Sequence, residues 1–362
     1  MRHSPPPPAP APAPAPEHRA SYRDVLAQGV DRFLHAPRTT CPWCGAGRLR
    51  RRLRTTDLLQ RKPGTFTLDQ CLACGHVFQN PQLNENGLDF YYRDFYDGFW
   101  EDRAGRTWAS LRRAYEKRAA FAAPHVRPKT WLDVGTGHGH FCAAAADRFP
   151  GTVFDGLDRG EGVELAVQRG WIDRAHRGLF PDLAPALAGA YDVVSMQHYL
   201  EHTTHPMREL QAAAQVVRPG GYLFIEVPDP ECRFGRLLGR WWMPWFQPQH
   251  LHLMPMANLR RRLEDLGFTV VAQERCYFNG PVNLLYSAFL RVHNAAPAPD
   301  APWFPAAPTR LQKTVRKAML LGAFPLLLAA KAADRLTGLL PSGARVTDAY
   351  RLLARREPLS PA

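Results

Sequence analysis

A chain of 362 residues, 45% of them hydrophobic, is long enough for one large domain with appendages or for two smaller ones, and apolar enough for an ordinary buried core. Its net charge of +13 raises encounter rates with nucleic acid, anionic lipid or phosphorylated substrates without choosing among them; arginine supplies 40 of the 46 basic residues, a bias that GC-rich coding DNA also produces. The odd total of seven cysteines argues against a secreted disulfide scaffold and for a reducing cytosol.

Residues 4–16 are almost wholly proline and alanine, a composition that favours extended polyproline II and buries nothing. Residues 1–20 therefore read as a disordered tail, without the apolar core and cleavage site of a secretory signal. Val25, Val30, Phe33 and Leu34 give a rough apolar stripe that predicts a helix within 21–35. Cysteines then dominate 38–82: Cys41-Pro-Trp-Cys44 and Cys71-Leu-Ala-Cys74, 26 residues apart and each followed by glycine. Each pair can present two thiolates from one tight turn, and two such turns make a closed tetrahedral four-cysteine zinc site, structural because no coordination position stays open. Redox-active pairs usually occur singly at a helix start, which counts against that reading. The intervening Arg48, Arg50, Arg51, Arg52 and Arg54 are read first as the solvated face of a hairpin and second as a phosphate grip. From 84 to 128 a connector is expected, with aromatics (Phe90, Tyr91, Tyr92, Phe95, Tyr96, Phe99, Trp100) followed by a basic helical stretch around 106–123.

Beyond residue 129 the rhythm becomes strand–helix–strand. Strands are predicted at 130–134, 153–157, 191–196, 222–227 and 268–273, and Met207, Leu210, Ala214 and Val217 share one face of a helix between them. Leu259, Leu263 and Leu266 do the same before Gly267, a good helix-capping residue. Such alternation implies an α/β fold with a mostly parallel, doubly wound sheet covered on both faces. Within a domain at 129–355, a Trp-rich lid is expected at 230–256 and an apolar insertion at 280–345, before a closing strand at Ala349–Ala354. The run 318–330 is nearly all apolar, but 13 residues fall short of the roughly 20 that span a bilayer, and Pro325 favours a kink. A buried or dimer-interface helix pair and an interfacial membrane anchor are the readings for 318–340.

The turn Asp133-Val-Gly135-Thr-Gly137-His-Gly139 lets backbone pass close to a ligand. A dinucleotide fingerprint would space its glycines as Gly-x-Gly-x-x-Gly. Here they alternate, and Asp133 would repel a pyrophosphate but pair with an ammonium. With these residues, 130–275 resembles the class I S-adenosylmethionine-dependent methyltransferases, a seven-stranded α/β family. The resemblance implies that Asp133, Gly135, Gly137 and Gly139 hold the methionine end of the cofactor, and that Asp158, 19 residues after Gly139, binds the ribose hydroxyls. Tyr191 to His202, which places Gln197 at the cofactor, and Arg218-Pro-Gly-Gly221 before Tyr222–Pro228 are similar to later blocks of the same family. The cysteine pairs with Asn80-Pro81 resemble a bacterial subgroup carrying such a module before the methyltransferase domain.

Methyl transfer to a hydroxyl, amine or carbon acid needs a proton removed. His198, His202, His250 and His252 are available for it, with His250 first and His198, at the end of the fourth strand, second. The sequence favours a cytosolic enzyme acting on a sugar, a lipid-linked intermediate or a natural product. An RNA methyltransferase and a non-catalytic scaffold are the alternatives.

Overall fold

The computed structural model describes residues 16–93, 104–341 and 344–358. Phe95, Tyr96, Phe99 and Trp100 of the expected aromatic cluster lie outside these. The strands are β1 (Leu49–Thr55), β2 (Phe66–Cys71), β3 (Val77–Gln79), β4 (Thr130–Val134), β5 (Val153–Asp158), β6 (Arg174–Arg177), β7 (Tyr191–Gln197), β8 (Val217–Pro228), β9 (His252–Leu253), β10 (Phe268–Cys276) and β11 (Ala349–Arg356). Seven of them form one sheet in the order β10-β11-β8-β7-β4-β5-β6. All pairings are parallel except those of β11, which runs antiparallel to both β8 and β10.

The central strands are buried along almost their whole length, as a sheet covered on both faces requires. Side-chain alternation then feeds two cores. Leu132, Val134 and Val194 face one layer with Leu210, Ala213 and Leu259. Trp131, Val193 and Phe224 face the other with Phe141, Phe149 and Phe154. Each fully buried side chain of this size contributes about 1.5–3 kcal/mol. Gly156 illustrates the fit, because a Cβ there would come within 2.7 Å of Thr136 and 2.8 Å of Ile172.

Three regions add to this sheet. The first helix is Pro16–Ala27, beginning inside the expected tail and ending before residue 35, because fully buried Tyr22 packs edge-on to Phe90 and Trp303. The Trp-rich stretch of the expected lid is packed. Trp242 and Trp245 are buried with Leu68, Val77, Phe234 and Leu253, and their indole N–H groups donate to Asn283 Oδ1 at 2.8 Å and the Gly239 carbonyl at 3.1 Å. Just beyond them β9 pairs with β3, so the cysteine-bearing hairpin and the large domain share a second, four-stranded sheet, β1-β2-β3-β9.

The third region is the insertion. After a helix at Asn283–Ala295, two more run Arg310–Gly322 and Phe324–Thr337. Pro325 lies in the first turn of the last one, where its missing N–H costs no hydrogen bond, so it starts a helix instead of kinking one. The reading of this pair as buried is overturned: Arg310–Gly322 has no buried residue and Phe324–Thr337 only Asp334. Among the described residues, no helix is long and apolar enough to cross a membrane.

Candidate active site and metal centre

The two cysteine turns meet as their spacing predicts. Gly45 and Gly75 adopt φ of 76° and 75°, letting their N–H groups turn back to the Cys41 and Cys71 carbonyls at 2.9 Å. Cys41 and Cys74 sulfurs lie 3.8 Å apart, Cys44 and Cys71 sulfurs 3.6 Å, and all four within 4.8 Å of one another. Four thiolates around zinc at about 2.3 Å would stand about 3.8 Å apart, so the donor set fits that ion. Of the arginines on β1, Arg50 donates to Gln70 and Arg52 sits 5.4 Å over the Trp245 ring. Most of that strand's arginine side chains face solvent at the sheet edge, as the first reading expected.

The glycine turn leaves the end of β4 beside β7, where the strand order reverses and open α/β sheets form their binding crevice. Gly135, Gly137 and Gly139 all have positive φ (74°, 54° and 75°), but for different spatial reasons. A Cβ on Gly135 would strike the Tyr199 ring at 2.5 Å and one on Gly139 would strike Ala166 at 2.8 Å, whereas one on Gly137 would meet nothing within 4 Å. Gly137 therefore faces open space, and its N–H donates to Asp158 at 2.9 Å. Asp158 also accepts from Gly160 N–H at 2.9 Å, which fixes its carboxylate at the tip of β5. Asp133 is almost fully buried and accepts from the Ser195 hydroxyl at 2.5 Å. Burial pushes its pKa up to about 6, outweighing the Ser195 and Thr136 hydrogen bonds and the Arg118 charge that favour the carboxylate. The side-chain amide of Gln197 at the end of β7 is buried with both its nitrogen and its oxygen unpartnered, and such groups need a partner.

Across the crevice lies a second polar cluster. His198 adopts φ of 52°, uncommon for a non-glycine residue, with its backbone N–H held by the Glu226 carbonyl at 2.8 Å. Its ring nitrogens stand 3.0 Å from Glu201 and 3.0 Å from Glu226. Burial opposes charge on this ring, but the hydrogen bonds and charges of the two carboxylates outweigh it and raise its pKa. This geometry holds the ring of His198, the second candidate base, between Glu201 and Glu226. Glu226 in turn pairs with Arg118 at 2.6 Å and Arg351 at 3.0 Å, all nearly inaccessible to water.

His250 and His202 lie against backbone carbonyls instead. Nδ1 of His250 lies 2.8 Å from the Pro244 carbonyl and Nδ1 of His202 lies 3.2 Å from the Gln249 carbonyl. A carbonyl only accepts, so His250 Nδ1 carries the proton and its Nε2 keeps its lone pair, whereas His202 Nδ1 also meets the Tyr92 hydroxyl at 2.6 Å, a group that can donate or accept. Burial, then the neighbouring histidine, drops the His250 pKa to about 3; burial also lowers that of His202. One donor atom each from Glu201, His202 and His250 falls within 4.8 Å of the others, and the second Glu201 oxygen has no hydrogen-bond partner. Two neutral imidazoles beside a carboxylate can accept a proton or hold a divalent cation. His252 is used elsewhere, its Nδ1 lying 3.1 Å from His76 beneath the cysteine turns.

A family profile described as a methyltransferase domain matches residues 99–273. A ubiquinone biosynthesis O-methyltransferase of Saccharophagus degradans is 35% identical over 162 residues, covering 42% of this chain and 67% of the relative. The enzyme of the same name from Pseudomonas paraeruginosa is 31% identical over 134 residues, covering 34% and 56%. This protein belongs to the class I S-adenosylmethionine-dependent methyltransferases. The chain thus spans two thirds of the first relative's length and little more than half of the second's. A solved S-adenosylmethionine-dependent methyltransferase from Archaeoglobus fulgidus matches at 16% identity and a TM-score of 0.43, over 74% of this chain and 99% of that one.

Sequence reasoning on this methyltransferase missed the support beneath His198. Glu226 left one signal, a lone carboxylate inside the apolar run Tyr222–Val227, because a buried charge requires a partner. Nothing local could name that partner, since Arg118 lies 108 residues away.

Proposed function

We propose that the protein transfers the methyl group of S-adenosylmethionine to the hydroxyl of a small organic acceptor. The observation that carries this reading is the crevice at the ends of β4, β5 and β7. There a buried carboxylate (Asp133), an amide with no partner (Gln197), a fixed carboxylate (Asp158) and an open glycine (Gly137) surround one space. A cofactor with an ammonium, a ribose diol and polar edges matches those groups in sign and kind. When bound, it supplies an electrophilic sulfonium methyl.

The chain's own contribution is placement and proton handling. Asp133 neutralises the ammonium, Asp158 accepts from the ribose, and Gln197 satisfies its amide against the ligand. His250 offers an unprotonated Nε2 to the acceptor's hydroxyl, and Glu201 lies close enough to stabilise the imidazolium that results. The names of the relatives, both O-methyltransferases, favour a hydroxyl over an amine. The four-cysteine cluster is a structural zinc site that ties the hairpin to the sheet it shares with β9. Such thiolates persist in a reducing compartment, which supports the cytosol.

The test supplies cofactor with a labelled methyl group to fractionated cell extract. Label is expected in an organic-soluble or small polar product. Label in RNase-sensitive material overturns the small-molecule reading in favour of an RNA acceptor. No transfer to any fraction, with no cofactor binding by calorimetry, leaves the scaffold reading. Metal analysis of a chelator-free preparation is expected to find about one zinc per chain, and its absence overturns the metal assignment.

A further inference from the structure

The helical pair between Arg310 and Leu340 carries a surface that neither the fold nor the crevice uses. Ten of the sixteen exposed large hydrophobic side chains among the described residues fall between Leu311 and Leu340. Leu311, Val315 and Met319 recur every fourth residue on the first helix; Phe324, Leu328 and Leu336 do so on the second with Ala332 between them. Spacing of four puts each set on one face. Phe324, Leu328 and Leu336 are 59%, 50% and 68% exposed, and apolar area of this extent on a soluble chain marks an interaction surface.

Charge decides which kind. The segment 310–340 holds six basic residues and a single acid, Asp334. That acid is buried, accepting the backbone N–H groups of Leu284 and Leu285 at 2.9 and 2.8 Å. Arg310, Lys317, Lys331 and Arg335 are exposed beside the apolar residues. A symmetric contact with a second copy would bring these cations against themselves, and interface cores are depleted of lysine. An anionic bilayer surface satisfies both features at once, burying apolar stripes at the headgroup boundary and neutralising the cations around them. Neither helix, at 13 and 14 residues, is long enough to span.

We propose that residues 310–340 dock the protein on the surface of a bilayer containing anionic phospholipid. The docking pair is also joined to the rim of the crevice. Asp334 anchors the start of the helix at Asn283–Ala295, and Gly338 packs on Pro281. Three residues before Pro281, Phe278 touches the His198 ring at 4.5 Å. Docking here holds that rim close to the lipid surface.

Flotation of the full-length protein with vesicles of phosphatidylcholine, alone or mixed with phosphatidylglycerol, tests this without reference to methyl transfer. Binding is expected only to the anionic vesicles and is expected to weaken as salt rises. Leu328→Glu with Leu336→Glu, both at exposed positions, should abolish flotation while leaving the melting temperature unchanged. Lys317→Glu with Lys331→Glu should weaken binding by at least about fivefold for each residue changed. The proposal is overturned if the wild-type protein stays unbound on anionic vesicles, or if both variants bind like wild type. It is equally overturned if the protein binds no vesicles and forms a dimer in gel filtration that Leu328→Glu with Leu336→Glu dissolves.

Discussion

On the β4–β5 side of the crevice, the groups assigned to the cofactor are backbone amides and two aspartates, all between residues 133 and 158. On the β7–β8 side, apart from Gln197 at the cofactor, the polar groups come from Tyr92, Arg118, His198, Glu201, His202, Glu226, His250 and Arg351, and only packing brings them together. The first side is local, so one short stretch of sequence can specify it. The second is a network in which each group is placed by another, so its parts respond together when one is removed. Binding should therefore follow the first side and turnover the second.

The largest effect that would sharpen this contrast is on turnover. His250→Ala should lower it by about 10²–10⁴-fold, with cofactor affinity by calorimetry essentially unchanged; near wild-type turnover would remove His250 from the chemistry. Next comes Glu226→Gln, which leaves Arg118 and Arg351 buried against a neutral amide. Breaking a buried pair of this kind costs about 3–5 kcal/mol, to be read in a denaturant titration, and an unaltered midpoint would show that the network does not hold the second side together.

On the cofactor side, Asp158→Ala removes the acceptor that both Gly137 and Gly160 bond. Cofactor affinity should fall about 100-fold, the scale of a charge-assisted pair. The smallest effect is in pH. The Asp133 carboxyl, raised to about 6 by burial, must ionise to attract an ammonium, so affinity should hold above pH 6 and fall below it. At pH 5 the loss is about tenfold by simple titration. Asp133→Asn should flatten that dependence; a dependence that survives the substitution assigns it to another group.

The sequence was most legible where geometry is short-range. Gly45 and Gly75 after their cysteine pairs have the left-handed backbone that their position required. Gly135 and Gly139 are glycine for steric reasons visible in the fold, whereas Gly137 alone faces open space. Gln197, placed by similarity at the cofactor, is an orphaned buried amide. The surroundings of His198 were not legible, because its neighbours Glu201 and Glu226 raise its pKa and one of them reaches it from the adjacent strand.

Hydrophobicity was the least reliable guide to burial. Trp242–Trp245 and Ala318–Ala330 look alike as apolar runs, yet the tryptophans lie beneath the cysteine-bearing hairpin and much of the second run faces solvent. The sequence by itself determined the glycine turn, the two cysteine turns, the strand–helix rhythm and the closing strand after a long insertion. All of these follow from backbone conformation and periodicity within a few residues. Only the tertiary structure decided that β9 joins the hairpin's sheet to the large domain, that His198 is clamped while His250 keeps a lone pair, and that the second apolar run is exposed. Burial, proton location and charge pairing depend on which distant segment packs against a residue, and no local pattern carries that information.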